Sequence, residues 1–204
     1  MHPKQIKYMK QIFFIFVVLF NIMNGFSHNI VMIGDSHVRG NIYPLSVKKI
    51  LGKQYTFTYN GKNGYTLARY FSQNKDKICR TYPDIIIVCF GTNESYTLSY
   101  NADKHYRQLS SFYSNIHKRL PKTKIIFIGP FGNKLRKGNK YINNYNVKRA
   151  NEVIRRFSSL HSNCYFIQPC SIKECYYQRD KVHLTVKGYQ ILGHDIGQKI
   201  KRYL

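Results

Sequence analysis

The chain has 204 residues, a length typical of one domain, and its 43% hydrophobic and 15% aromatic content is enough to build a sizeable core. Lysine and arginine outnumber aspartate and glutamate by 33 to 9, giving a formal charge of +24. An acidic polymer or a membrane surface is therefore a candidate partner, whereas no specific nucleic-acid partner is expected. The lysines are spread along the chain, so the charge could equally reflect an A/T-rich coding sequence. No repeat or low-complexity tract is present.

The first 27 residues have the three parts of a secretory signal. Three lysines precede the apolar residues 12–20, and the small residues Gly25 and Ser27 follow. We predict cleavage after Ser27, a domain over residues 28–204, and export to a periplasm, a cell surface or the medium. The alternative is a membrane anchor formed by residues 12–23, although about a dozen apolar residues fall short of the roughly 20 needed to span a bilayer.

The first predicted strand, residues 30–33, ends at Gly34 and is followed by Asp35, Ser36 and His37. Pro44 is expected to begin a helix that ends near Leu51. A second strand is predicted over residues 55–59. Next comes a loop, residues 60–66, whose glycines can expose backbone N–H groups to a ligand. A short helix is predicted over residues 67–74.

The continuous apolar run 85–90 predicts a central parallel strand, and Gly91, Thr92 and Asn93 follow it. A helix is expected over residues 103–120, a strand over 124–128, and a basic loop over 132–140. A further helix with a buried stripe from Val147 to Leu160 precedes a short strand at 164–167. Thr185 is placed to cap the last helix. This alternation predicts a three-layer α/β/α sandwich with a mostly parallel, flavodoxin-like five-stranded sheet.

Polar residues or glycines follow several of these predicted strands: Ser36 after the first, Gly64 after the second and Asn93 after the third. Asp180 and His183 come just before the last helix. A serine hydroxyl is a poor nucleophile until a base removes its proton, and an imidazole can do so and later protonate the leaving group. His183 is the candidate base. Asp180 can accept a hydrogen bond from its other ring nitrogen.

These residues, in this order, resemble the SGNH hydrolase superfamily of GDSL-type esterases and lipases. The similarity covers essentially the whole chain after residue 27, and four blocks carry it: Gly34-Asp35-Ser36, Gly61-Lys62-Asn63-Gly64, Gly91-Thr92-Asn93, and Asp180-Lys181-Val182-His183. The resemblance implies a catalytic triad of Ser36, Asp180 and His183. It also implies an oxyanion hole formed by the backbone N–H groups of Ser36 and Gly64 and the side chain of Asn93. No cofactor or metal is implied.

The position after the serine departs from the family pattern, because His37 stands where leucine is usual. His37 and Arg39 are therefore predicted to contact a polar or anionic substrate.

The predicted activity is hydrolysis of short acyl esters, above all O-acetyl groups on a carbohydrate, through an acyl-enzyme on Ser36. An acylated glycan or a small ester would be the substrate. The alternatives are a lipase, a lysophospholipase, a thioesterase, an acyltransferase that uses the same acyl-enzyme, and a non-catalytic polyanion-binding module on the same fold.

The five cysteines offer no zinc-site spacing. If the chain is exported, Cys170 and Cys175 could form a disulfide, and the alternative is that all five cysteines are free.

Overall fold

The computed structural model describes residues 28–96, 99–132 and 144–204. Five strands form one sheet in the order β2-β1-β3-β4-β5, and every pair is parallel. The strand bounds are β1 His28–Gly34, β2 Tyr55–Gly61, β3 Ile85–Cys89, β4 Lys124–Ile128 and β5 Cys164–Ile167. The predicted α/β sandwich with a parallel five-stranded sheet is confirmed.

Seven α-helices and two short 3₁₀ helices lie within the described residues. The α-helices are α1 Ser36–Arg39, α2 Ile42–Leu51, α3 Leu67–Arg80, α4 Thr92–Ser95, α5 Ala102–Arg119, α6 Asn144–Ser159 and α7 Val186–Ile200. The 3₁₀ helices are Glu174–Tyr176 and Lys201–Tyr203. Between successive strands of the sequence, helices carry the chain to the next parallel strand.

Two apolar cores lie on opposite faces of the sheet. On one face α2 and α7 pack against the strands through side chains that include Tyr43, Val47, Leu192 and Ile196. On the other face α3, α5 and α6 contribute a second cluster, with Phe71, Phe112 and Phe157 among its members. Strand β3 is buried along its whole length because both faces are covered. The carboxyl ends of β1, β2 and β3 are thereby held side by side.

Several features of the helices differ from the predictions. The helix predicted to end at residue 74 continues to Arg80, since Ile78 and Cys79 add another buried turn. Pro44 is the third residue of α2 and not the first, a position where its missing N–H is still not needed by the helix. Leu160, predicted to be buried, is 63% exposed because α6 ends at Ser159.

The segment predicted as a signal peptide, residues 1–27, lies outside the described residues, as does most of the predicted basic loop. Among the helices that are described, none is both long and apolar enough to cross a membrane.

Candidate active site

Ser36 lies where β1 ends, at the first residue of α1. The Asp35 carboxylate caps this short helix by accepting a hydrogen bond from the His37 N–H at 3.0 Å. A side chain at position 34 is excluded, because its Cβ would lie 2.3 Å from Cγ2 of Val38 and 2.9 Å from the carbonyl oxygen of Cys89. The tight turn after Gly34 therefore fixes the nucleophile at the edge of the sheet.

His183 reaches Ser36 from the other end of the chain. Its Nε2 lies 2.9 Å from the Ser36 Oγ, and its Nδ1 lies 2.6 Å from Oδ2 of Asp180. The second oxygen of Asp180 accepts the backbone N–H groups of Val182 and His183, each at 2.9 Å. The structure thus brings Ser36, His183 and Asp180 together in the relay expected of a nucleophile, a base and an orienting carboxylate.

The loop that carries His183 is held by the chain around it. The N–H of Gln178 donates to the His183 carbonyl at 2.8 Å, and the Gln178 side chain donates to the Leu184 carbonyl at 2.8 Å. Thr185 then caps α7 by accepting the N–H of Gly188, as predicted. These contacts fix the imidazole through backbone geometry on both sides of it.

Asp180 is suited to remain ionised. Partial burial acts to raise the pKa of its carboxyl, but hydrogen bonds from the His183 ring and from the backbone N–H groups of Val182 and His183 outweigh burial and hold the pKa below its usual value. The carboxylate therefore keeps the His183 Nδ1 protonated, so that Nε2 is the ring nitrogen available to accept a proton.

Asn93 and Gly64 come from the two neighbouring loops. The Asn93 amide donates one hydrogen bond to the Tyr65 carbonyl at 2.9 Å, which fixes its orientation and leaves its second N–H for another acceptor. Gly64 has φ of +70°, a left-handed conformation that a side chain would strain. Both residues lie beside Ser36 in the groove described next.

A groove of about 730 Å³ opens at the carboxyl ends of the strands. Its lining includes most of the residues predicted from the sequence, namely Ser36, Arg39, Gly64, Asn93, Asp180 and His183. Asn63, Tyr96 and Gln178 add further polar groups. The groove therefore holds a nucleophile, a base and several hydrogen-bond donors around one space.

His37 is the exception, and the prediction that it contacts substrate is wrong. The side chain is 3% exposed, packs against Phe131 at 4.6 Å between ring centroids, and pairs its Nδ1 with the Tyr189 hydroxyl at 2.9 Å. It does not line the groove. Burial lowers the pKa of its imidazole to about 3, so the ring is neutral at ordinary pH.

Glu94 is a site residue that the sequence predictions missed. Its buried carboxylate accepts the Leu67 N–H at 2.7 Å and the Gly91 N–H at 2.9 Å, joining the start of α3 to the loop that carries Asn93. Burial raises its pKa, against the opposing effect of these N–H groups. The signal was present in the sequence, since a Glu three residues after Gly91 has capping-box spacing.

The cysteines and acidic residues of the described chain form no metal site. No group of three or more metal-ligating side chains occurs among the described residues. Cys170 and Cys175 are free thiols, like the other three cysteines, so the disulfide is not formed in this structure.

Comparison with known proteins finds a matching family. The model of the GDSL-like lipase/acylhydrolase family matches residues 32–191. No match was found among curated protein sequences.

Solved structures with the same fold include several esterases. A lipase/acylhydrolase from Enterococcus faecalis is 18% identical with a TM-score of 0.67, over 87% of this chain and 97% of that one. A catalytic mutant of an acetylxylan esterase from Geobacillus stearothermophilus is 16% identical with a TM-score of 0.70, over 85% and 94%. The acetyl xylan esterase AlAXEase is 17% identical with a TM-score of 0.68, over 84% and 99%. At these identities the likeness is one of fold.

Proposed function

Since this chain belongs to the GDSL-like lipase/acylhydrolase family and is an ester-hydrolysing enzyme, we propose that it removes short acyl groups through an acyl-enzyme on Ser36. The preferred substrate in this proposal is an O-acetyl group on a carbohydrate. The observation that carries the mechanism is the hydrogen bond of 2.9 Å between the Ser36 Oγ and the His183 Nε2, backed by Asp180.

The reaction begins when the Ser36 Oγ attacks the ester carbonyl carbon and His183 Nε2 takes the hydroxyl proton. Collapse of the tetrahedral intermediate breaks the bond to the alcohol oxygen, which receives that proton and leaves. A water molecule then attacks the acyl carbon while His183 accepts a proton again, and collapse releases the carboxylic acid and restores Ser36. Asp180 holds the imidazole in place and stabilises the imidazolium formed in each half.

The developing oxyanion requires fixed donors, and three groups are suited to this role. The backbone N–H groups of Ser36 and Gly64 have no acceptor among the described residues. The second N–H of the Asn93 amide is also available. We assign the oxyanion hole to these groups.

Asn93 allows a direct test of that assignment. We expect Asn93→Ala to lower kcat for an aryl acetate by about 100-fold to 1,000-fold, because a preorganised donor is lost. Asn63→Ala is the matched control, since Asn63 lines the same groove with no proposed catalytic contact. Equal losses in both variants would contradict the assignment.

Features of the groove support a short acyl group on a polar alcohol. Polar side chains of its lining, Arg39 and Gln178 among them, are positioned to contact hydroxyl groups. A lipase or lysophospholipase would need a longer apolar channel than the few aliphatic side chains here provide. The acetylxylan esterases with the same fold are consistent with a carbohydrate ester. Arg39 remains our candidate for contact with the alcohol portion of the substrate.

The test is hydrolysis of aryl esters of increasing acyl length by the domain 28–204, beside Ser36→Ala. We expect the highest kcat/KM for acetate, a fall for longer chains, and loss of activity in Ser36→Ala. Release of acetate from O-acetylated xylan would support the carbohydrate substrate. Activity that survives Ser36→Ala would exclude the acyl-enzyme proposed here, and preference for long acyl chains would favour the lipase alternative.

We further propose export by cleavage after Ser27. Three lysines, the apolar stretch and the small residues Gly25 and Ser27 support this proposal. Mass spectrometry of the protein recovered from its native host should find His28 as the first residue; an intact N-terminus would favour the membrane anchor.

A further inference from the structure

A second groove lies between α3 and α5, on the face of the sheet opposite α2 and α7. It encloses about 450 Å³, and its cationic side chains are Lys75, Lys104 and Arg107. Ser72, Gln108, Ser111 and Asn115 line it with hydrogen-bonding groups. Among the described residues, no acidic side chain belongs to this lining. We call it the α3–α5 groove.

A third cavity, of about 230 Å³, shares lining residues with both grooves. Asn93 lines both this cavity and the catalytic groove. Lys104 and Gln108 line both the same cavity and the α3–α5 groove. The three cations therefore lie near enough to Ser36 for one polymer chain to contact both places.

The positive charge of Lys75, Lys104 and Arg107 is not balanced by the residues that the structure describes. Within the described residues, none of Lys75, Lys104 and Arg107 forms an ion pair, whereas Arg119, Lys181 and Lys199 each pair with a carboxylate. Apart from the catalytic Asp180, the only acid lining the three cavities is Glu94, and both its oxygens accept backbone N–H groups. Asp76, next to Lys75, is held by Arg119 at 2.6 Å. An anionic ligand would supply the missing counter-charges.

The chemistry of the lining favours an acidic polysaccharide over a nucleic acid. Single-stranded nucleic acids bind through exposed aromatic rings on which bases stack. The aromatic rings of the α3–α5 groove, Phe71 and Phe112, are only 7% and 1% exposed, and both belong to the core. Hydroxyl, amide and cationic groups around a shallow space suit a polymer of hydroxyls and carboxylates.

We infer that the enzyme acts on an O-acylated acidic polysaccharide, whose carboxylates bind Lys75, Lys104 and Arg107 while an acyl ester occupies the catalytic groove. This inference rests on the proposed function, because it takes Ser36 as the reacting group. The inference also gives part of the +24 charge a role, which is to select an acidic substrate.

The test uses a triple variant of the α3–α5 groove, Lys75→Gln, Lys104→Gln and Arg107→Gln. Its control loses the same charge on the opposite face of the sheet, through Lys48→Gln, Lys49→Gln and Lys53→Gln. The first variant should lower kcat/KM on O-acetylated polygalacturonate at least about tenfold, mainly through KM, because three exposed charge contacts are lost together. Its activity on an aryl acetate and on neutral O-acetylated xylan should be unchanged. The loss should fade at high salt, and the control should show little of it.

A binding measurement makes the result independent of turnover. Ser36→Ala protein should bind de-acetylated polygalacturonate, and the α3–α5 changes made in that background should weaken binding at least about tenfold. Equal weakening by the control charges, no weakening, or no binding would overturn the inference. Tighter binding of oligo-dT through the same three residues would also overturn it, in favour of a nucleic acid. The proposed function is tested separately, by the hydrolysis of the aryl ester with and without Ser36→Ala. It would fail if the Ser36→Ala protein kept its activity on that ester.

Discussion

Two aspartate–histidine pairs flank Ser36, and they lie in opposite environments. Asp180 and His183 are partly exposed, are bonded to each other, and reach the serine from 147 residues away. Asp35 and His37 are its immediate neighbours in sequence, yet they are 1% and 3% exposed and do not line the groove. The same two residue types therefore line the groove in one place and are buried beside it in the other.

The difference lies in what each pair contacts. Asp180 is held ionised by His183 and by backbone N–H groups. Burial instead raises the pKa of Asp35 to about 7, although the His37 N–H acts in the opposite direction, and burial lowers the pKa of His37 to about 3. The buried pair is thus pushed toward its neutral forms, while the exposed pair keeps the charge that a general base needs beside it.

Removal of the partly exposed imidazole of His183 should have the largest effect on kcat. His183→Leu should lower kcat for an aryl acetate by at least about 1,000-fold, because Ser36 loses its base. His37→Leu is the matched change, and it should cost less than about tenfold, equivalent to about 1.4 kcal/mol of transition-state stabilisation. Similar losses in both variants would remove the distinction between the two histidines.

The next effect concerns the orienting carboxylate. Asp180→Asn should lower kcat by about 100-fold to 10,000-fold, because the amide cannot hold the same tautomer and charge at His183. Asp76→Asn is the control, since Asp76 is an exposed, ion-paired aspartate outside the groove. An Asp180→Asn enzyme as active as that control would show that His183 needs no carboxylate partner.

His37 should be visible in the pH dependence of stability. Its folded pKa of about 3 lies below the ordinary 6.5, so the unfolded state binds the extra proton and stability is lost as pH falls from 6.5 toward 3. The slope for one such group is up to about 1.4 kcal/mol per pH unit. Urea unfolding at several pH values should show a shallower acid-side loss in His37→Leu than in the wild type. Parallel curves would mean that folding leaves the pKa of His37 unchanged.

Asp35 should make the free energy of unfolding depend on pH in the opposite direction. Its folded pKa of about 7 lies above the ordinary 3.8, so its contribution is complete below about pH 4 and is lost as pH rises to 7. Asp35→Asn should remove this loss, so the free energy of unfolding of the variant relative to the wild type should increase between pH 4 and pH 7. A relative stability that stays constant over this range would contradict a neutral Asp35.

The sequence was sufficient to predict the strands and which polar residues would meet at one edge of the sheet. An apolar run such as 85–90 places apolar side chains on both faces of a strand, so both faces must be covered. Parallel strands also bring their carboxyl ends to one edge of the sheet. Ser36, Asn93 and His183 could therefore be expected in one groove, and the structure places them there.

What the sequence did not predict depends on contacts between distant segments. The burial of His37 is set by Tyr189 and Phe131, which no local pattern connects to it. The α3–α5 groove combines Lys75 with Lys104 and Arg107 from another helix, so the scattered lysines give no sign of it. The environment of such side chains is set by tertiary packing and can be known only from the folded structure.

In the mechanism that we propose, the contact between Ser36 and His183 also determines when the enzyme can first become active. The nucleophile is made early in synthesis, whereas its base lies in the last tenth or so of the chain, after all five strands. A nascent or truncated chain that stops before the loop at Asp180 contains Ser36 without the residue that activates it. Under this proposal, esterase activity is a direct measure of the completed fold, and we expect no cleavage of acyl groups before the final loop has docked against the sheet.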